Sequence, residues 1–379
     1  MAAASAEAVG VGPMRFLRRA SLDAPGRESG VDLARGLAVF GMFAAHVVTM
    51  PTEAFTWSDP ATWVQAVNGT SSILFATLAG VSLALLTGGN RRLRGAAMTG
   101  ASWRIVVRAV MIWIIGVLLV FTPVPVYVIL PAYGVLFLVA IPLLRLRTGV
   151  VIATSVTAAI VMPFVVYAIN DSAVWAMPGS DLAADLLGWH YPFVLWIAFI
   201  AAGIAIGRAR MSRPRVAIAL VMVGSGLAVL GRYVIGAREQ AWPVLSAAPH
   251  SGGIGEAVGT GGLAVAIIAG CVLMCRTPVR YFVWPIRAIG SMPLTAYVAQ
   301  LMVWNIWIWR EEARTEFVDP IAGFVALEPF WPLTVGILLA CSAWAWLVGR
   351  GPLEWVLAVT ARAIVPESAG RARRSDTRD

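Results

Sequence analysis

Two side chains of one apolar stretch stand where chemistry across a bilayer would need them. Arg35 lies near the start of Val31 to Met50 (VDLARGLAVFGMFAAHVVTM) and His46 near its end, eleven positions on. At about 100° and 1.5 Å per residue, eleven helical steps return the second side chain to within roughly 20° of the first, about 16 Å further along the axis. A guanidinium presents a planar fork of donors that suits phosphate. An imidazole, with an ordinary pKa of about 6.5, suits removal of a proton from an attacking hydroxyl or amine. Each also has a structural reading by itself. An arginine near a helix end snorkels to the interface, here pairing with Asp32 one turn earlier, and a histidine near the other end hydrogen-bonds a neighbour. Taken together on one face, an anion anchor (Arg35, with Asp32) and a base (His46) fit a long, thin, phosphate-headed donor whose reactive end lies at the imidazole. Acyl coenzyme A has that shape, as a co-substrate and not a permanently bound cofactor.

Candidates for a second substrate's site are spread along the chain. His250, in AAPHSGGIGEAVG, is one, with Glu256 six residues on as a carboxylate that orients an imidazole or binds a sugar hydroxyl. The alternative is a loop histidine closing a glycine-rich turn. His190, between Trp189 and Tyr191, is explained by a place in an aromatic belt. Ser71 and Ser72, beside Asn68 and Thr70, open the second apolar stretch; Tyr297 and Gln300 recur with Ser291 and Thr295 at roughly helical spacing in a later one. These are acceptor-site candidates, and equally the small polar residues that pack membrane helices. No metal site is expected, because Cys271, Cys275 and Cys341 fall inside apolar stretches where thiols act as small hydrophobes. The glycines between 252 and 262 follow no strand and form no dinucleotide fingerprint, and no motif speaks for nucleic acid.

The elements that must position these residues are membrane helices. Of 379 residues, 59% are hydrophobic and 13% charged, against about 25% charged in a soluble globular chain. The reading is an all-α, polytopic integral membrane protein. Stretches of bilayer length run near 31–50, 69–88, 103–122, 126–144, 148–169, 191–208, 215–236, 257–275, 287–309 and 329–349, about ten transmembrane helices. The third and fourth are joined so tightly around Pro123 and Pro125 that they form a hairpin. All 29 basic residues are arginine, as a GC-rich bacterial genome would produce, and the net charge is +9. Arginines cluster after the second stretch (Arg91, Arg92, Arg94), the fourth (Arg145, Arg147), the sixth (Arg208, Arg210, Arg213, Arg215) and the eighth (Arg276, Arg280), while most of the opposite connections are acidic. By the positive-inside rule both termini lie in the cytoplasm, with Arg35 near that face and His46 near the outside of a bacterial cytoplasmic membrane. Residues 1–28 read as a retained cytoplasmic tail, 29–350 as one membrane domain, 351–366 as an interfacial helix and 367–379 as a polar tail. Neither a broken helix nor an inverted repeat is legible, which argues against the other class compatible with intramembrane charge, a transporter or carrier of a small anion or lipid.

The wording VDLARGLAVFGMFAAH, with ten residues between Arg35 and His46, resembles the first-helix motif of the membrane-bound acyltransferase-3 family. With Asp32, Arg35 and Gly36 it also resembles the first helix of the heparan-alpha-glucosaminide N-acetyltransferase family. WHYPFVLWIAFIAAGIAIGR at 189–208, HSGGIGEAVGTGGLAVAII at 250–268, IGSMPLTAYVAQ at 289–300 and GPLEW at 351–355 are similar to DUF418 membrane proteins. The chain departs from the second pattern in having no histidine between 51 and 68, and from the third in having Ser291 where an arginine is usual. What the resemblance implies is an O- or N-acyltransferase of the cell envelope. It would move an acyl group, commonly acetyl, from cytoplasmic acyl-CoA to an extracytoplasmic carbohydrate or lipid-linked acceptor.

Overall fold

The computed structural model describes residues 22–24, 26–53, 55–56, 58–314 and 319–366, so the expected tails lie largely (1–28) or wholly (367–379) outside the described residues. Among the described residues every regular element is helical: α1 Ser29–Val47, α2 Thr70–Leu86, α3 Gly95–Val120, α4 Leu130–Arg145, α5 Thr148–Asn170, α6 Ser180–Leu187, α7 Phe193–Arg208, α8 Pro214–Val229 and α9 Ile254–Met274. There follow α10 Val279–Phe282, α11 Trp284–Ser291, α12 Pro293–Glu312, α13 Ala322–Val325, α14 Phe330–Leu347 and α15 Pro352–Ile364. Seven helical runs among them are long and apolar enough to cross a membrane, and α4 and α7 are shorter apolar helices. The chain is an all-helical, multi-pass membrane protein.

The inner helices are the ones that carry the polar candidates. α1 packs against α2, α9 and α11; α2 packs against α7, with α5 behind α7 and α8 behind α9. α3 and α4 form the hairpin that the prolines between them dictate, and α15 lies against α3. On the outside, α8 turns Ile218, Met222 and Val223 outward, which is where lipid tails lie in a bilayer-spanning bundle. Inside, glycines let backbones touch without side chains between them. A Cβ on Gly80 of α2 would overlap the carbonyl of Ile200 on α7, and one on Gly290 of α11 would overlap the carbonyl of Asp32 on α1.

One apolar stretch differs from its expected form. The run near 287–309 is not one helix: it breaks between α11 and α12 at Met292, whose φ of −138° and ψ of 54° are not helical. The expectation that no helix is broken is corrected here. The cause is Pro293, which lacks an N–H and whose ring pushes the preceding residue out of the α region. Both ends of the break are satisfied from elsewhere in the chain. The carbonyl of Gly290 accepts a hydrogen bond from Arg35 Nη1 at 3.3 Å. The carboxylate of Glu354, on α15, accepts from the N–H groups of Leu294 (2.8 Å) and Thr295 (3.1 Å) and from the Thr295 hydroxyl (2.6 Å). A distant side chain therefore caps α12 where its own sequence cannot.

Candidate active site

α1 carries His46 into a cavity of about 560 Å³, which Ser71, Ser72 and Tyr297 also line. His190 and His250 line it too, so the three histidines of the chain border one space. The ring of His46 is held from behind. Its Nδ1 lies 3.3 Å from Oε1 of Gln300, a side chain with 0% exposure, and the ring of Tyr297 meets it edge-on with centroids 6.1 Å apart. An amide oxygen only accepts, so the pair is satisfied by the tautomer protonated at Nδ1, and Nε2 is left as the basic nitrogen.

The other acceptor candidates take distinct roles in this geometry. His250 sits at φ 60°, a left-handed conformation uncommon outside glycine. Buried Glu256, in the first turn of α9, holds that loop by accepting from the backbone N–H groups of His250 (2.6 Å) and Gly252 (2.8 Å). It thus meets His250 through the main chain and not through the ring. The Ser72 hydroxyl donates back to the carbonyl of Gly69 at 2.9 Å, leaving its lone pairs for the cavity. His190, read from sequence as a belt residue, has a carboxylate partner: its Nε2 lies 3.1 Å from Asp185 and its ring stacks on Tyr127 at 3.6 Å.

The far end of α1 opens into a second cavity of about 470 Å³. Asp32, 3% exposed, bridges Arg27 and Arg35, the latter at 2.9 Å. Arg35 also donates through Nη2 to the Ser82 hydroxyl at 3.0 Å, so its guanidinium is fixed from three sides by Asp32, Gly290 and Ser82. Arg108 and Arg350 line the same cavity. Burial first, and then the neighbouring charges of Arg362 and Arg27, lower the pKa of Arg350 below the ordinary arginine value, against the opposing charge of Glu354.

Between the two ends lies a chamber of about 170 Å³. It shares Arg35, Phe137 and Glu354 with the arginine cavity and Met42, Ile129 and Tyr297 with the histidine cavity. Three cavities thus run in series along α1, the arginine end first and His46 last. Sequence reasoning did not single out Ser82, Tyr133, Arg108, Arg350 or Glu354. Arg108 carried a signal, an arginine inside an apolar stretch; Glu354 lay within GPLEW without an assigned role. Ser82 and Tyr133 read as ordinary helix residues and are placed only by packing.

Comparison with known proteins gives a family. The family model described as heparan-alpha-glucosaminide N-acetyltransferase, catalytic, matches residues 27–235. No curated protein matches the chain, and no solved structure does. The matched segment holds Asp32, Arg35, His46, Ser71 and Ser72, and ends before His250, Glu256, Tyr297 and Gln300. Since that match spans more than half of the 379 residues and contains the helix on which both ends of the cavity series depend, the chain belongs to the heparan-alpha-glucosaminide N-acetyltransferase catalytic family, a family of membrane acetyltransferases.

Proposed function

We propose that this protein transfers an acyl group, acetyl in the first instance, from cytoplasmic acyl-CoA to a hydroxyl or amine of an extracytoplasmic carbohydrate or lipid-linked acceptor. The proposed setting is a bacterial cytoplasmic membrane with both termini inside, as the arginine-rich connections favour. The observation that carries the reading is the series of cavities from Arg35 to His46. Phosphates of the donor sit at the arginine end against Arg35, Arg108 and Arg350, with Asp32 holding Arg35 in place. The pantetheine arm crosses the chamber and the thioester lies beside His46.

The acceptor enters the large cavity, where Ser71, Ser72 and the loop of His250 and Glu256 offer polar contacts. His46 takes the proton from the acceptor oxygen or nitrogen as it adds to the thioester carbon. Collapse of the adduct breaks the C–S bond, and the thiolate receives that proton, which leaves free coenzyme A and the acylated acceptor.

The test uses purified protein in nanodiscs. Acetyl-CoA should raise the unfolding temperature, Arg35→Ala should weaken that binding, and His46→Ala should abolish transfer while sparing it. Absence of any acetyl-CoA effect on the wild type, or normal acylation by both variants, defeats the reading. Mass spectrometry of envelope glycans and lipids from a deletion strain would identify the acceptor by a lost acyl increment. The carrier reading draws support from one feature, the helix break at Met292. Against it, the carbonyl and N–H groups freed there are already taken by Arg35 and Glu354, whereas a carrier leaves such groups for its cargo.

A further inference from the structure

Tyr133 of α4 and Tyr297 of α12 are 4% and 2% exposed, and neither hydroxyl donates a hydrogen bond to any described residue. The two side chains lie within electrostatic reach of each other. Both line the chamber between Arg35 and His46, and Tyr297 also lines the His46 cavity. A buried hydroxyl with no acceptor has lost its water and gained nothing in return. Two of them on one small chamber call for a ligand that brings acceptors.

Beyond the N–H groups that Arg35 keeps free at the arginine end, the rest of the chamber supplies no donor to such a ligand. Phe75, Leu78, Leu130 and Phe137 are apolar. The Ser82 hydroxyl donates to the carbonyl of Leu78 at 2.6 Å, and three of the five N–H groups of Arg35 are held by Asp32, Gly290 and Ser82. Besides its own N–H groups and hydroxyl, a donor's pantetheine arm brings acceptors into the chamber: two amide carbonyls, and the thioester carbonyl at its end. The phenols are the donors left to meet them.

Resting on the acyltransferase reading above, we propose that Tyr297 hydrogen-bonds the thioester oxygen as it becomes an oxyanion, and that Tyr133 holds an amide carbonyl of the pantetheine arm. Tyr297 is suited to the first role by standing against His46, so the carbon attacked under the base and the oxygen that gains charge are served from adjacent rings. As the acceptor adds, its proton passes to His46 and the carbonyl π pair moves onto oxygen, where the Tyr297 O–H meets it. When the C–S bond breaks, that pair returns to re-form the carbonyl and the thiolate takes the proton from His46. No bond to either tyrosine forms.

The experiment is a pair of Tyr→Phe variants of the full chain in nanodiscs, measured for acetyl-CoA affinity, turnover and thermal stability without ligand. Tyr297→Phe should lower kcat about 100- to 1,000-fold, the range for loss of one oxyanion donor, with acetyl-CoA affinity within about twofold. Tyr133→Phe should weaken acetyl-CoA binding about tenfold, as for one lost hydrogen bond, with kcat changed much less. Tyr133→Phe should not lower the unfolding temperature of the ligand-free protein, since it removes a hydroxyl with no partner among the described residues, and Tyr297→Phe should lower it by no more than the one contact its oxygen has with the Ile129 N–H. A Tyr297→Phe enzyme with wild-type kcat, or a ligand-free Tyr133→Phe protein that melts well below wild type, overturns the assignment of the tyrosines alone. A wild type that neither binds nor turns over acetyl-CoA overturns the acyltransferase reading and this assignment with it.

Discussion

Nδ1 of His46 lies 3.3 Å from Oε1 of Gln300, which is 254 positions later in the chain. α1 presents the imidazole, but α12 decides which of its nitrogens is basic. Gln300→Leu keeps the bulk and removes the acceptor. The expected outcome is a fall in kcat of about 10- to 100-fold, the scale on which partners that orient an imidazole act, with acetyl-CoA affinity unchanged. Single-turnover acylation measured beside a binding isotherm checks it; an undiminished rate would mean that the ring needs no such support.

The crossing of α1 and α11 sets the position of Arg35. Gly290 meets the Asp32 carbonyl so closely that a Cβ has no room, and a backbone carbonyl cannot swing aside as a side chain does. Gly290→Ala should force the helices apart at an overpacking cost of about 1–3 kcal/mol and pull the Gly290 carbonyl away from the Arg35 guanidinium. Lower thermal stability and weaker acetyl-CoA binding should appear together. Gly270→Ala is the control: nothing lies within 4 Å of a Cβ there, so stability should hold or rise by up to about 1 kcal/mol. Equal behaviour of the two variants would sink the argument.

These two pairings show where the sequence stops being informative. Apolar stretches long enough for a bilayer become helices because an isolated span must satisfy its own backbone, and so the all-helical, multi-pass character is legible from the sequence, while the bounds of single helices and the break in the 287–309 run are not. The shared face of Arg35 and His46 follows from helical geometry alone. Gln300 was legible as a polar residue on a helix, but its partner was not, because the contact spans most of the chain. The break at Met292 was announced by Pro293 and still missed, since prolines inside apolar stretches elsewhere, Pro142 and Pro163, leave α4 and α5 continuous. Glu354 was the least legible of all: its carboxylate acts on a helix that lies nearly 60 positions earlier.

Arg208 is a buried cation that makes no use of a carboxylate. It is 7% exposed and donates to the carbonyls of Leu143 (3.3 Å), Leu144 (2.7 Å) and Leu146 (3.0 Å), closing the C-terminus of α4. Arg208→Met leaves the Leu144 carbonyl without a donor, while Leu146 keeps Arg92 and Leu143 keeps the Leu146 N–H, and should cost about 1–3 kcal/mol. Arg208→Lys should recover only part of this, because one ammonium cannot reproduce a planar fork. Thermal unfolding of the three proteins decides; full recovery by lysine would show that only the charge matters.

Glu354 makes stability depend on pH. Burial raises its pKa above the ordinary 4.5, against the opposing hydrogen bonds from Thr295 and Leu294. The native state therefore holds this proton more tightly than the unfolded chain does. Its contribution to stability is complete below the unfolded pKa and is lost as pH rises through the higher folded value. Glu354→Gln does not titrate, so the wild-type unfolding temperature minus that of the variant should be greatest in acid and shrink as pH climbs through that window. Parallel curves for the two proteins would contradict it.

Arg108 and Arg350 make no ion pair among the described residues, yet they face the cavity where Arg35 is already committed to Asp32, Gly290 and Ser82. On the proposed reading their free donors meet the phosphates of coenzyme A. A charge-assisted contact is worth about 1.5–3 kcal/mol, so Arg108→Ala or Arg350→Ala should raise the KM for acetyl-CoA about tenfold or more. S-acetylpantetheine lacks the nucleotide phosphates and should be used equally by wild type and variants. Added salt should weaken acetyl-CoA binding to the wild type more than to either variant, because screening removes only an attraction that exists. If the variants lost both donors alike, these arginines would be holding the fold; if they lost neither, the phosphates would lie elsewhere. Loss confined to acetyl-CoA ties the charge at one end of α1 to the chemistry at the other.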